Sequence, residues 1–134
     1  AICNDSKFDA ISYSFNGTIY VFKGLHVWEF NIDFRQTSNS PRQIIWNWKS
    51  VNQTVDAAVL FNKELYLFSG KYVWIFNQTN EEEYFKPKKI SKIFPGIKGS
   101  VKSAFTSKDN QNIYLTNETQ FWMFDKRKML AQQE

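Results

Sequence analysis

Apolar residues in this chain fall into short runs, each closed by a turn signal, and the runs return in a fixed order. Ile19-Tyr20-Val21-Phe22 lies between Asn16-Gly17 and Lys23-Gly24. Leu65-Tyr66-Leu67-Phe68 lies between Asn62-Lys63 and Ser69-Gly70. Ile113-Tyr114-Leu115-Thr116 follows Asp109-Asn110-Gln111-Asn112. Runs rich in β-branched and aromatic residues and bounded by turn formers predict strands. Asn16-Gly17 is a strong hairpin signal and Asn62-Lys63 a weaker one. Each run is preceded by a segment with small residues: Phe8-Asp9-Ala10-Ile11, Val55-Asp56-Ala57-Ala58 and Val101-Lys102-Ser103-Ala104. Each is followed by a Trp segment: Trp28-Glu29-Phe30, Trp74-Ile75-Phe76 and Trp122-Met123-Phe124. Every unit therefore predicts an inner strand, a middle strand and a third strand. Small alanines suit a crowded axis, and bulky rings suit packing between units.

The unit starts are 47 and 46 residues apart, and the tryptophans 46 and 48. Constant spacing with constant internal order marks one supersecondary unit repeated, each copy needing neighbours to bury its apolar face. The period is that of a propeller blade, so the expected fold is an all-β propeller with three visible blades, at about 8–50, 51–98 and 99–134, in a single domain 1–134. The segments between units, Asn31 to Lys49 and Asn77 to Gly99, each have room for a short outer strand and a helical turn. The second ends in the corner Phe94-Pro95-Gly96-Ile97, and the first contains Pro41-Arg42-Gln43-Ile44 with Trp46 and Trp48.

Composition narrows the picture. Of 134 residues, 24 are aromatic, which lets a short chain fill its interior with few side chains. No segment approaches the roughly 18–20 apolar residues of a membrane span. The start, Ala1-Ile2-Cys3-Asn4-Asp5, does not resemble a leader, and a removed leader would leave no trace. Asn-x-Ser/Thr acceptors stand at Asn4, Asn16, Asn52, Asn77 and Asn117, near turns or unit boundaries, and point to a secreted, extracellular protein. Cys3 is the only cysteine. In a secreted chain it points to an interchain bridge or a missing partner, with an inert thiol as the other reading.

These residues resemble the haemopexin-like repeat, found in haemopexin, vitronectin, lubricin and the C-terminal domain of matrix metalloproteinases. The carriers are Phe8-Asp9-Ala10, Val55-Asp56-Ala57-Ala58, the aromatic-Phe-x-Gly step, the Trp four residues beyond Gly24 or Gly70, and Phe94-Pro95-Gly96-Ile97. The order looks like the first three of the family's four blades. Cys3 occupies the place of the family's ring-closing cysteine, whose usual partner lies at the end of the fourth blade. An incomplete or unusually closed disc follows, since propellers typically have four to eight blades. Open faces expose strand edges and rings that folded proteins normally cover. The expectation is therefore self-association, a second chain supplying the missing blade, or docking of Lys126 to Glu134 across the gap.

The resemblance implies a non-catalytic module. A single histidine excludes a His-x-Glu-x-x-His zinc site, Cys3 has no evident catalytic partners, and Glu29 and Asp33 read as solvated loop carboxylates. Some family members bind haem through histidine, which draws attention to His26, although a rim histidine facing water is the simpler reading. The family can hold a calcium or sodium ion in its central channel through backbone carbonyls. Asp9 and Asp56 carry over to those positions, Lys102 departs from them, and Asp side chains bonding backbone groups is the competing reading. The net charge is +4, with Lys86, Lys88, Lys89, Lys92, Lys98 and Lys102 close together. That patch fits a glycosaminoglycan or acidic partner, or simply a solvated face. The secretory features disfavour nucleic acid.

Three functions remain in competition. The first is a secreted module binding extracellular protein or matrix partners. The second is a haem or metal-ion carrier, and the third a fragment of a larger secreted metalloproteinase-like protein.

Overall fold

The computed structural model describes residues 7–37, 40–78 and 86–127. Three antiparallel sheets follow one another along the chain. The first contains β1 (Ala10–Tyr13), β2 (Ile19–Lys23), β3 (His26–Phe30) and β4 (Arg42–Gln43), followed by the helical turn α1 (Ile44–Asn47). The second contains β5 (Ala57–Phe61), β6 (Glu64–Ser69), β7 (Tyr72–Asn77) and β8 (Lys88–Lys89), followed by α2 (Ile90–Ile93). The third contains β9 (Ser103–Thr106), β10 (Asn112–Thr116) and β11 (Phe121–Asp125). Each sheet is a meander, and the short outer strand and helical turn expected between units occur in both linkers.

The turns explain the registers. Asn62 and Lys63 both adopt left-handed backbone, with φ of 53° and 63°, closing a two-residue loop that pairs Phe61 with Glu64. Such a loop matches the natural strand twist. Gly24 and Gly70 carry φ of 59° and 58° at the following turn, where a side chain would be strained.

Strand alternation gives each sheet two faces, and the chain uses them in rotation. Ala10, Phe22 and Val27 of the first sheet pack with Leu67, Trp74 and Phe76 of the second, together with Trp48 from the first linker. Val59, Tyr66 and Phe68 on the opposite side of the second sheet pack with Ile113 and Leu115 of the third, and with Phe94 and Ile97. The second sheet is thus apolar and buried on both faces. Tyr66, Phe68 and Phe94 form a ring cluster at centroid separations of 5.8–6.4 Å. The inner strands lie side by side, β1 against β5 and β5 against β9, as blades stand around an axis.

Glu29 corrects one expectation. It sits within β3, half-buried, opposite Tyr20, and accepts a hydrogen bond from the Thr18 hydroxyl at 2.5 Å. It is not a solvated loop carboxylate.

Candidate functional site

Two faces of this rotation are left over. On the first sheet, Ile11, Val21 and Trp28 are in register, as are Tyr13, Ile19 and Phe30. They point away from the second sheet. On the third sheet, Phe105, Tyr114 and Met123 form one row, with Phe121 beside them. Phe105 stacks on Tyr114 at 5.2 Å and Tyr114 on Phe121 at 5.6 Å. Tyr13 is 64% exposed and Phe121 61%. The two leftover faces are not equivalent. Trp28 holds the repeat position of Trp74 and Trp122, and Tyr114 that of Tyr20 and Tyr66. In both formed interfaces a Tyr-type face meets a Trp-type face. One unmated face of each type remains.

A cavity of about 460 Å³ opens between them, along the axis. Ile11, Tyr13 and Ile19 line it from the first sheet, Ala58 to Leu60 from the second, and Phe105 and Thr106 from the third. Phe34, in left-handed backbone at φ 61° and 73% exposed, stands at its mouth. Ser12, Tyr13 and Thr106 supply the only side-chain hydroxyls of the lining. The pattern of small and large inner-strand residues was legible in the sequence, but Phe34 was not, because its place depends on a left-handed turn in an irregular linker.

Neither Asp9 nor Asp56 lines this cavity. The Asp9 carboxylate accepts the Gly24 N–H at 2.8 Å, and the Asp56 carboxylate accepts the Gly70 N–H at 2.8 Å. The side chains are thus engaged in holding turns. Among the described residues, no group of three or more His, Cys, Asp or Glu side chains is placed to hold a metal ion. His26 begins β3, is exposed, and lies 6.3 Å from the Trp28 ring.

Tyr20 and Tyr66 are buried phenols. Burial, with the Glu29 carboxylate nearby and Arg42 opposing, pushes Tyr20 up to about 12. Burial and the Glu64 carboxylate push Tyr66 further. Both are protonated ring contacts at neutral pH, without nucleophilic character.

The lysines separate into two settings. Lys86, Lys88, Lys89, Lys92 and Lys98 are all exposed, and Lys88 faces Glu64 closely enough to oppose the rise in its pKa. Lys89 and Lys98 line a second, smaller depression together with Lys71, a residue the sequence reading did not single out. The signal for it was its position directly after Gly70, where the first repeat has Leu25 after Gly24. Lys102 precedes β9, exposed, with its N–H donating to Thr116 O at 2.7 Å.

Of the glycosylation candidates, Asn16 and Asn52 are exposed, while Asn77 and Asn117 are half-buried. Asn77 ends β7, and Asn117 Oδ1 accepts the N–H groups of Thr119 and Gln120. Cys3, Asn4 and most of the segment Lys126 to Glu134 lie outside the described residues. No helix among the described residues is long and apolar enough to cross a membrane.

The family profile named Hemopexin matches residues 8–53 and 55–99, more than half of the chain. The chain belongs to the haemopexin family. No curated protein matches it significantly. Solved structures similar in fold include CP4, a hemopexin fold protein from cow pea, with a TM-score of 0.69 and 17% identity over 91% of this chain and 64% of that one. A plant lectin with two metal binding sites from Cicer arietinum gives a TM-score of 0.67 at 17% identity, covering 91% and 64%. A gluconolactonase from Xanthomonas campestris gives 0.57 at 14% identity, covering 88% and 37%. The chain spans less than two thirds of the length of these structures. At these identities the likeness establishes the fold alone.

Proposed function

We propose that this haemopexin-family chain is a secreted, non-catalytic protein-interaction module whose two unmated faces pack against the end blades of a second copy. The observation that carries the proposal is the pairing rule. Every formed interface joins a Tyr-type face to a Trp-type face, and one of each is left bordering an apolar cavity. Exposed contiguous apolar surface of this kind marks an interaction site. The occupant is a second copy, which has the same two faces free: the third sheet of one copy meets the first sheet of the other, so that each contact joins a Tyr-type face to a Trp-type face. The cavity lining is hydroxyl and hydrocarbon, which suits packing against another apolar surface. The acceptor sites at Asn16, exposed on a turn, and Asn52, exposed in the segment before β5, support secretion.

Two single variants at exposed positions test this without disturbing a core. Phe121→Asp charges the face of the third sheet, and Tyr13→Asp that of the first. Each variant alone is expected to be monomeric by sedimentation, because every contact needs one intact face of each type. A one-to-one mixture is expected to form a dimer, since each copy retains the face the other lacks. A mixture that stays monomeric, or either variant dimerising alone, overturns the proposal.

The carrier function has less support. The Cicer arietinum lectin is described with two metal sites, but here the Asp9 and Asp56 carboxylates are occupied by turn N–H groups. An axial calcium or sodium ion would rest on backbone carbonyls alone.

A further inference from the structure

The repeat allows the second blade to be compared, position by position, with the first. In the first blade the Ile44 N–H donates to Leu25 O at 2.9 Å. In the second the Ile90 N–H donates to Lys71 O, also at 2.9 Å. His26 pairs with Gln43 as Tyr72 pairs with Lys89. The Val51 N–H donates to Trp48 O as the Ile97 N–H donates to Phe94 O. The two backbones are the same device, yet Leu25 has become Lys71, Gln43 has become Lys89, and Asn52 has become Lys98. The first blade shows that this backbone folds with neutral residues at all three places. The lysines are therefore not needed for the fold.

They converge. Lys71, Lys89 and Lys98 line one depression of about 220 Å³, with Ser91 beside them, Gly99 on its wall and the buried Ile97 beneath. Lys71 is fixed by the Ile90 bond to its carbonyl, and Lys98 is carried next to the left-handed turn at Gly99, φ 88°. Among the described residues none of the three lysines is engaged in an ion pair. Three lysines around one concavity repel each other by Coulomb interaction unless an anion sits between them. Lysines are compact charges suited to a tetrahedral anion approached from several sides, whereas bidentate planar carboxylates favour arginine. Lys86, Lys88 and Lys92 extend the positive charge along β8 and α2 beyond the depression, which suits a chain of repeated anions more than one small ion. The lining has no aromatic ring on which a base could stack.

We infer that the Lys71–Lys89–Lys98 depression is a binding site for a sulfate group of a sulfated glycan chain, with Ser91 in reach as a hydroxyl donor. The probe is a heparin tetrasaccharide, titrated by calorimetry against the full chain, alongside its chemically desulfated form and a DNA oligomer of equal charge. The double variant Lys71→Gln/Lys98→Gln is compared with Lys63→Gln/Lys108→Gln, which removes the same charge from exposed turns elsewhere. Binding is expected to fall about tenfold or more in the first double variant and less than about twofold in the second. The desulfated sugar and the DNA are expected to bind at least about tenfold more weakly than the tetrasaccharide. Equal losses in the two double variants would reduce the site to diffuse surface charge and overturn the inference. Equal binding of the desulfated sugar or of DNA would do the same. Circular dichroism of both variants, expected to match the parent, separates loss of the site from loss of the fold.

Discussion

The Asp56 carboxylate accepts the Gly70 N–H at 2.8 Å, tying the residue before the inner strand to the turn that links the middle and third strands of its blade. Asp9 does the same for Gly24, also at 2.8 Å. Both aspartates donate their own N–H to the middle strand, Asp9 to Phe22 O and Asp56 to Phe68 O, and Lys102 keeps that bond with Thr116 O. What Lys102 lacks is the carboxylate. In its blade the corresponding turn is held from within, by Asn117 Oδ1 accepting from Thr119 and Gln120 at 3.0 and 2.8 Å.

Asp56→Ala is therefore expected to lower stability by about 1 kcal/mol, the value of a hydrogen bond at a partly exposed site. Asp56→Asn, which retains an acceptor oxygen, loses less. Chemical denaturation midpoints of the two variants check this, and equal midpoints for Asp56→Ala and the parent would show that the clamp contributes nothing.

Five tryptophans of similar appearance in sequence are predicted to differ sharply in energetic weight. Trp74 is 3% exposed and packs between the first two blades, so Trp74→Ala costs about 3–5 kcal/mol through lost contacts and a cavity. Trp46 is 59% exposed, with the Arg42 guanidinium 6.0 Å from its ring, and Trp46→Ala costs less than about 1 kcal/mol. Thermal unfolding of the two proteins distinguishes these values. A Trp74→Ala protein that melts with the parent would refute the blade packing.

Glu64 carries a pH dependence whose direction is set by burial, which raises its pKa against the opposing Tyr66 hydrogen bond and the Lys88 charge. A carboxyl held above its unfolded value binds its proton more tightly in the folded state. Its contribution is thus present at acid pH and is lost as pH rises from the unfolded value through the folded one. Glu64→Gln is expected to gain stability relative to the parent at pH 7 and to lose that advantage near pH 4. An advantage independent of pH would mean that the carboxyl does not titrate abnormally.

The blades were legible in the sequence because three copies of one pattern average out local ambiguity. Ile19 to Phe22 and Leu65 to Phe68 announce strands by composition, and Asn16-Gly17 marks its turn by chemistry. The second side of each strand was harder to read. Trp28 and Trp74 look identical along the chain, and only the rotation of faces shows that Trp74 is covered while Trp28 belongs to an unmated surface. Lys71 was missed for a related reason: it is distant in sequence from Lys89 and Lys98, and the β7–β8 pairing brings them together. Glu29 misled because its neighbours Asn31 and Asp33 are turn residues, whereas Glu29 itself is held in β3 by pairing with Tyr20.

The central claim is that the leftover faces mate with a blade of the same kind, and the absolute mass of the chain in solution tests it most directly. Light scattering over a range of concentrations, with and without reductant, is expected to give a species of twice the 15.9 kDa chain mass that persists in reductant. A mass of 15.9 kDa at every concentration, or a dimer that falls to monomer on reduction and so depends on Cys3 instead of on blade packing, would contradict it.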